Sequence, residues 1–149
     1  MKQFLKQYSY QFLGYSGVLP FALFCYGAYA FSFHPVVGEY SLMMQMGYAS
    51  MILSFLSALY WQKSVIHQKF WAQVTCLMPI ILLLPIFYWG VLYDKGQSIL
   101  MMIPLFWAVF VMDKIMGKND GWPKGYYLYR FNLTSLVTIC LFLSYWVSL

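Results

Sequence analysis

The chain has 149 residues, of which 62% are hydrophobic and 9% charged, and its net charge at pH 7 is +5. Soluble domains carry about 25% charged residues, and domains of this size leave a large share of their surface in contact with water. The composition therefore excludes a water-soluble domain and indicates that lipid surrounds most of the chain.

Charged residues divide the chain into five long charge-free runs. A helix needs about 20 apolar residues to cross a bilayer, so each run predicts one crossing. The runs are 17 to 32 residues long and cover residues 7–38, 40–62, 70–93, 96–112 and 131–149. We expect an all-α integral membrane protein, a bundle of five transmembrane helices in a single domain over residues 1–149. The expected spans are approximately 12–33, 40–61, 70–91, 97–112 and 131–149.

The first two predicted helices carry residues that interrupt a helix or let it pack closely. Pro20 in the first helix should kink or break it, because proline has no backbone N–H to donate. In the second helix, Ser50, Ser54 and Ala58 recur every four residues on one side. Small side chains let transmembrane helices approach each other, so we predict that this stripe packs against a neighbouring helix.

The third and fourth predicted helices form a hairpin. Only the turn at residues 94–96 separates them, and its glycine suits a tight reversal. Pro79 and Pro85 argue against a straight third helix. Residues 113–130 then form the longest loop, which leads to the fifth helix.

The basic residues predict the orientation of the chain. With the N-terminus inside, Lys95 alone lies outside, and eight basic residues lie inside. Cytoplasmic loops carry such an excess of lysine and arginine, so we expect the N-terminus inside and the C-terminus outside. The basic face should meet anionic lipid rather than nucleic acid. The eight inside residues are Lys2, Lys6, Lys63, Lys69, Lys114, Lys118, Lys124 and Arg130.

Four stretches of the chain together resemble a known family. They are residues 14–20 (GYSGVLP), 52–61 (ILSFLSALYW), 111–114 (VMDK) and 122–134 (WPKGYYLYRFNLT). In this order they resemble the transmembrane protein 69-like family, a domain of unknown function found in bacteria and mitochondria. The resemblance implies a five-helix protein of the bacterial cytoplasmic (inner) membrane or, alternatively, of the mitochondrial inner membrane. It brings no activity and no catalytic residue.

Two residues depart from the pattern of that family. Tyr60 stands where the family often has histidine or arginine, and Leu128 stands where an additional arginine is common. The resemblance therefore implies no ionic role for either residue.

Asp113 and Arg130 bracket the long inner loop, at the ends of the fourth and fifth predicted helices. Both should lie at the same depth in the membrane, where an ionised side chain is costly unless it is paired. We predict a structural ion pair that fixes the two helix ends. A role in transport or binding is the alternative.

The same loop is rich in basic and aromatic side chains, which are typical of contacts with lipid headgroups. The candidate headgroup contacts are Lys114, Lys118, Trp122, Lys124, Tyr126 and Tyr127.

Polar side chains collect near the inner end of the fifth predicted helix. We call Asn132, Thr134, Ser135 and Thr138 the polar seam. Side chains of these types often bond to their own helix or to a neighbouring one inside a membrane. We therefore interpret the seam as a helix-packing surface.

No arrangement of side chains points to catalysis, a cofactor or a metal. The three cysteines lie in different predicted helices, without metal-ligand spacing. His34 and His67 are expected on opposite sides of a hydrocarbon core about 30 Å thick, too far apart to share a haem. We predict that the protein is not an enzyme and holds no cofactor and no metal.

Three classes of function remain. We expect an accessory or structural subunit of a larger inner-membrane complex, such as a respiratory complex, with other membrane protein subunits and membrane lipids as its partners. A small transporter or channel is one alternative, favoured by the prolines and by the charges at the membrane edge. A lipid-binding membrane protein is the other, favoured by the basic and aromatic inner loop.

Overall fold

A computed structural model of the chain describes residues 12, 14–31, 34–66, 70–116 and 125–149. All regular secondary structure in this part of the chain is helical, which confirms the predicted all-α architecture. The helices are α1 (Leu19–Ala30), α2 (Pro35–Ile66), α3 (Phe70–Leu92), α4 (Lys95–Met116) and α5 (Tyr126–Ser148).

Four of these helices, α2 to α5, are long and apolar enough to cross a membrane. The chain therefore has the character of a multi-pass membrane protein. α1 has 12 residues, fewer than the roughly 17 that a straight crossing needs. Among the described residues, four helices are long enough to span a membrane, and the fifth predicted span stays a prediction.

A break in the helical conformation just before Leu19 explains why α1 is short. Residues 14–16 are helical, but a turn at residues 17–18 separates them from α1. In this turn the Gly17 N–H donates to the Gly14 carbonyl at 3.1 Å and the Val18 N–H donates to the Tyr15 carbonyl at 3.0 Å. Pro20 lies in the first turn of α1, where a missing N–H costs little. The kink or break expected at Pro20 is therefore a break in the helix, and it lies just before the proline.

A backbone carbonyl at the break accepts a hydrogen bond from a side chain of the neighbouring helix α2. The hydroxyl of Tyr48 in α2 donates to the Gly17 carbonyl at 3.0 Å. Unpaired backbone groups are costly in a membrane, so a broken helix needs such a donor. α2 therefore helps to hold the chain that leads into α1.

The five helices of the described residues pack in a closed ring, and α2 also packs against α4 across it. α1 contacts α2 and α5, α4 contacts α3 and α5, and α2 contacts both α3 and α4. At one end of the bundle Glu39 pairs with Lys95, with 3.2 Å between Oε2 and Nζ. At the opposite end Asp113 pairs with Arg130. We call these the Glu39 end and the Asp113 end.

The predicted hairpin between α3 and α4 depends on a close approach at Gly90. Its backbone is buried, and a Cβ there would collide with Met46 and Ser98. The Ser98 hydroxyl crosses this gap and donates to the Ile86 carbonyl at 2.9 Å. The side chain of Asp94 accepts from the N–H of residue 97 at 3.1 Å and caps the start of α4.

The predicted packing stripe lies beside the buried surface of α2 rather than on it. Ser50 and Ser54 are half-buried and Ala58 is exposed. Ser50 donates to the Met46 carbonyl of its own helix at 2.8 Å. One residue rotates a helix surface by about 100°, so a shift of one residue places the stripe beside the buried surface of α2. The buried positions are one residue earlier, at Ala49, Leu53 and Ser57.

Gly90→Ala should destabilise the protein because the added methyl group has no space between Met46 and Ser98. Overpacking of this kind costs roughly 1–3 kcal/mol. Gly47→Ala is the matched control, since a Cβ at Gly47 meets nothing within 4 Å. It should be neutral or slightly stabilising. Thermal unfolding of both variants in one detergent checks the prediction, and equal midpoints would contradict it.

Candidate functional site

The structure brings together the two charged residues that the sequence places at one membrane depth. The Nε–H of Arg130 in α5 donates to Asp113 Oδ2 in α4 at 2.8 Å. The Asp113 side chain is 1% exposed and the Arg130 side chain 13%. A carboxylate buried this deeply requires a charged or hydrogen-bonding partner, and Arg130 supplies both.

Two tyrosines complete the cluster around this pair. The Tyr126 hydroxyl donates to Asp113 Oδ2 at 3.1 Å, and Arg130 Nη2 lies 3.5 Å from the Tyr60 hydroxyl. Tyr60 comes from α2, so the cluster connects three helices. We call Tyr60, Asp113, Tyr126 and Arg130 the Asp113 cluster.

Sequence reasoning missed both tyrosines. Tyr60 was expected to have no ionic role, but its hydroxyl contacts the guanidinium of Arg130. Tyr126 was expected at lipid headgroups, but its hydroxyl points at Asp113. The spacing of four residues between Tyr126 and Arg130 places them on one side of a helix, and this signal could have identified Tyr126.

The candidate headgroup contacts are only partly described. Lys114 is exposed at the Asp113 end. Tyr127 is half-buried and its hydroxyl is enclosed by protein. Lys118, Trp122 and Lys124 lie outside the described residues.

Several buried polar atoms have no hydrogen-bond partner within the described part of the chain. They include Asp113 Oδ1, the Ser57 hydroxyl and both side-chain amide atoms of Gln45. Ser57 lies one helical turn before Tyr60, so unused hydrogen-bonding capacity remains near the Asp113 cluster. Gln45 lies nearer the Glu39 end.

The polar seam divides between the interior and the surface. Thr138 accepts a hydrogen bond from Trp107 Nε1 in α4 at 3.1 Å, and Thr134 is buried. Ser135 is half-buried, whereas Asn132 is exposed on the outer side of α5.

A groove adjoins the Asp113 cluster between α2 and α5. Its volume is about 320 Å³, and most of its lining is apolar. Phe106 of α4 contributes to it, and Arg130 is the charged residue of the lining. We call this the α2–α5 groove. Its other lining residues are Gly14, Gly17, Val18, Phe21, Ile52, Phe55, Leu56, Leu133, Thr134 and Val137.

The geometry suits a structural tie better than a reaction centre. Guanidinium and carboxylate neutralise each other, and each is anchored on a different helix. Among the described residues no group of three or more histidine, cysteine, aspartate or glutamate side chains could hold a metal ion. The cluster can hold α2, α4 and α5 together and can present the remaining N–H groups of Arg130.

Arg130→Ala should destabilise the protein strongly because it leaves Asp113 buried and unpaired. Removing one partner of a buried pair costs roughly 3–5 kcal/mol. The control is Lys114→Ala, which removes a neighbouring charge from the exposed side of α4 and should change stability by less than about 0.5 kcal/mol. Unfolding midpoints measured in one detergent compare the two. If both variants unfold at the same temperature, the pair is not a structural tie.

Comparison with known proteins identifies a family but no characterised relative. No curated protein and no solved structure matches the chain. A model of the family described as "protein of unknown function (DUF3429)" matches residues 7–146. That range includes the Asp113 cluster, the polar seam and the α2–α5 groove. The chain belongs to this family of proteins of unknown function, DUF3429.

Proposed function

We propose that the protein is a non-catalytic accessory subunit of a larger complex in a bacterial or mitochondrial inner membrane. The observation that carries the proposal is an exposed amide, Asn132, on the outer side of a helix that is long enough to cross the membrane. An amide in such a position favours a neighbouring membrane protein.

The depth of Asn132 makes its exposure costly. It lies six residues beyond Tyr126, the first residue of α5, which corresponds to about 9 Å along the helix. α5 has 23 residues, about 34 Å, while the hydrocarbon core measures about 30 Å. The amide therefore lies within the hydrocarbon of a centred helix, where a polar group seeks a hydrogen bond across a helix interface.

The rest of the polar seam sharpens this argument. Thr138 is bonded to Trp107 and Thr134 is buried, so the bundle itself accounts for these two residues. No hydrogen bond of the Asn132 side chain joins it to another described residue. A transmembrane helix from a partner subunit, carrying a hydrogen-bonding or small side chain, would meet that need.

The topology in this proposal has five crossings, with the N-terminus inside and the C-terminus outside. α1 is too short to cross alone, so the first crossing consists of α1 together with the helical residues before the break. The charges of the described residues support this orientation. The Asp113 end carries Lys63, Lys114 and Arg130 against Asp113, a net charge of +2, and the Glu39 end carries Glu39 and Asp94 against Lys95, a net charge of −1. An excess of basic residues marks the cytoplasmic side.

An epitope fused to the C-terminus tests the orientation. It should react with a membrane-impermeant label applied from outside intact cells or mitoplasts. Labelling only after the membrane is opened would reverse the proposed topology.

The packing of the core supports a transporter or channel less well than an accessory subunit. Between Gln45 and the Asp113 cluster, the centre of the bundle is filled by a layer of apolar side chains. A closed apolar layer opposes the passage of ions and polar solutes. Its members include Met46, Ala49, Leu53, Met102, Leu105, Val109, Val137 and Leu141.

The proposal predicts that the protein leaves its membrane with fixed partners and that Asn132 holds them. Extraction in a mild detergent followed by native mass spectrometry should give a constant stoichiometry with other polypeptides. Asn132→Leu should lose the partners without lowering the unfolding temperature, because the side chain makes no contact that the bundle needs. Asn132→Gln keeps the amide and should retain the complex.

Ile139→Ala is the control, since it shortens an exposed apolar side chain two turns further along α5. The proposal fails if the wild-type chain travels alone, or if Asn132→Leu retains the same partners.

A further inference from the structure

We propose that the α2–α5 groove holds one acyl chain of an anionic phospholipid, whose phosphate accepts hydrogen bonds from Arg130. The site is separate from the surface around Asn132 and goes beyond the proposed accessory role.

The groove has the shape and chemistry of a lipid site. Its volume of about 320 Å³ lies at the lower end of the range for ligand sites. Phe21 and Phe106 are buried in its lining, while Phe55 is 61% exposed at its rim. The groove therefore joins the interior of the bundle to the surface that faces the membrane. An acyl chain can enter from that surface without crossing water.

Arg130 provides the polar end of the site. Its guanidinium has five N–H donors, and the described contacts use two of them, the Nε–H to Asp113 and one Nη2 hydrogen to Tyr60. Both hydrogens of Nη1 and one of Nη2 are left for another acceptor. Two parallel N–H groups on one edge of a guanidinium match the oxygens of a phosphate.

The surrounding charge selects an anionic headgroup. Arg130 is neutralised by Asp113, while Lys63 and the exposed Lys114 add two positive charges, so the described residues at this end of the bundle carry a net charge of +2. A basic site beside transmembrane helices attracts the headgroup of an anionic lipid. A zwitterionic lipid with the same chains lacks that attraction.

Three separate parts of the sequence build the groove. Gly14, Gly17 and Val18 come from the GYSGVLP stretch, and the break before α1 places them there. The ILSFLSALYW stretch of α2 and the WPKGYYLYRFNLT stretch before and within α5 supply the facing walls. These stretches carry the family resemblance, and the fold brings them to one place, where the groove gives them a common role.

Lipid competition on the purified full-length chain tests the proposal. Delipidated protein in detergent is mixed with equal amounts of phosphatidylglycerol and phosphatidylcholine of identical acyl chains, and native mass spectrometry counts the lipids that remain bound. We expect one retained phosphatidylglycerol, favoured over phosphatidylcholine by about fivefold or more. Equal retention of the two lipids would overturn the headgroup assignment.

A matched pair of variants tests the groove itself. Leu56→Trp fills the groove, and Leu59→Trp places the same side chain on the exposed side of α2 outside the groove. Leu56→Trp should lose the bound lipid, while Leu59→Trp should keep it. Ile52→Phe obstructs the same groove with a smaller change and replaces Leu56→Trp if tryptophan prevents folding. Unchanged retention in a folded groove variant would overturn the proposal.

Discussion

A carboxylate and a guanidinium, both largely removed from solvent, impose the main constraint on this bundle. Ionised groups in a low-dielectric interior are tolerated only in close contact with opposite charge or with several hydrogen bonds. Asp113 has one oxygen that accepts from both Arg130 and Tyr126. The ends of α4 and α5 cannot separate without exposing these charges to lipid, so the pair fixes the relative depth of the two helices.

The positions of the other helices can be described relative to this ion pair. α2 reaches it through Tyr60 and also contacts α1, α3 and α4, which gives it a central position. Tyr48 of α2 satisfies the backbone where the chain breaks before α1. Gly14, Gly17 and Val18, at or before that break, line the groove that also contains Arg130. The break, the groove and the ion pair are therefore parts of one arrangement.

Sequence patterns predict depth along the membrane normal much better than rotation about a helix axis. Charge-free runs gave the approximate extent of α3 and α4, and loop charges placed Asp113 and Arg130 at one level, where the structure has them 2.8 Å apart. Rotation about the axis depends on which neighbour a helix meets. Because sequence patterns do not give this rotation, they did not predict the contact of Tyr60 with Arg130. For the same reason, the predicted stripe at Ser50 is one residue away from the buried positions of α2. The break before α1 depends on local hydrogen bonds that the position of Pro20 alone did not locate.

A double-mutant cycle on Asp113→Asn and Arg130→Gln tests the central claim most directly. The free energy of unfolding is measured in one detergent for the wild type, both single variants and the double variant. Each single variant leaves one buried group without its partner, so the double variant should be more stable than the sum of the two losses predicts, by more than about 1 kcal/mol. Losses that simply add would show that the two residues do not stabilise each other and would contradict the account.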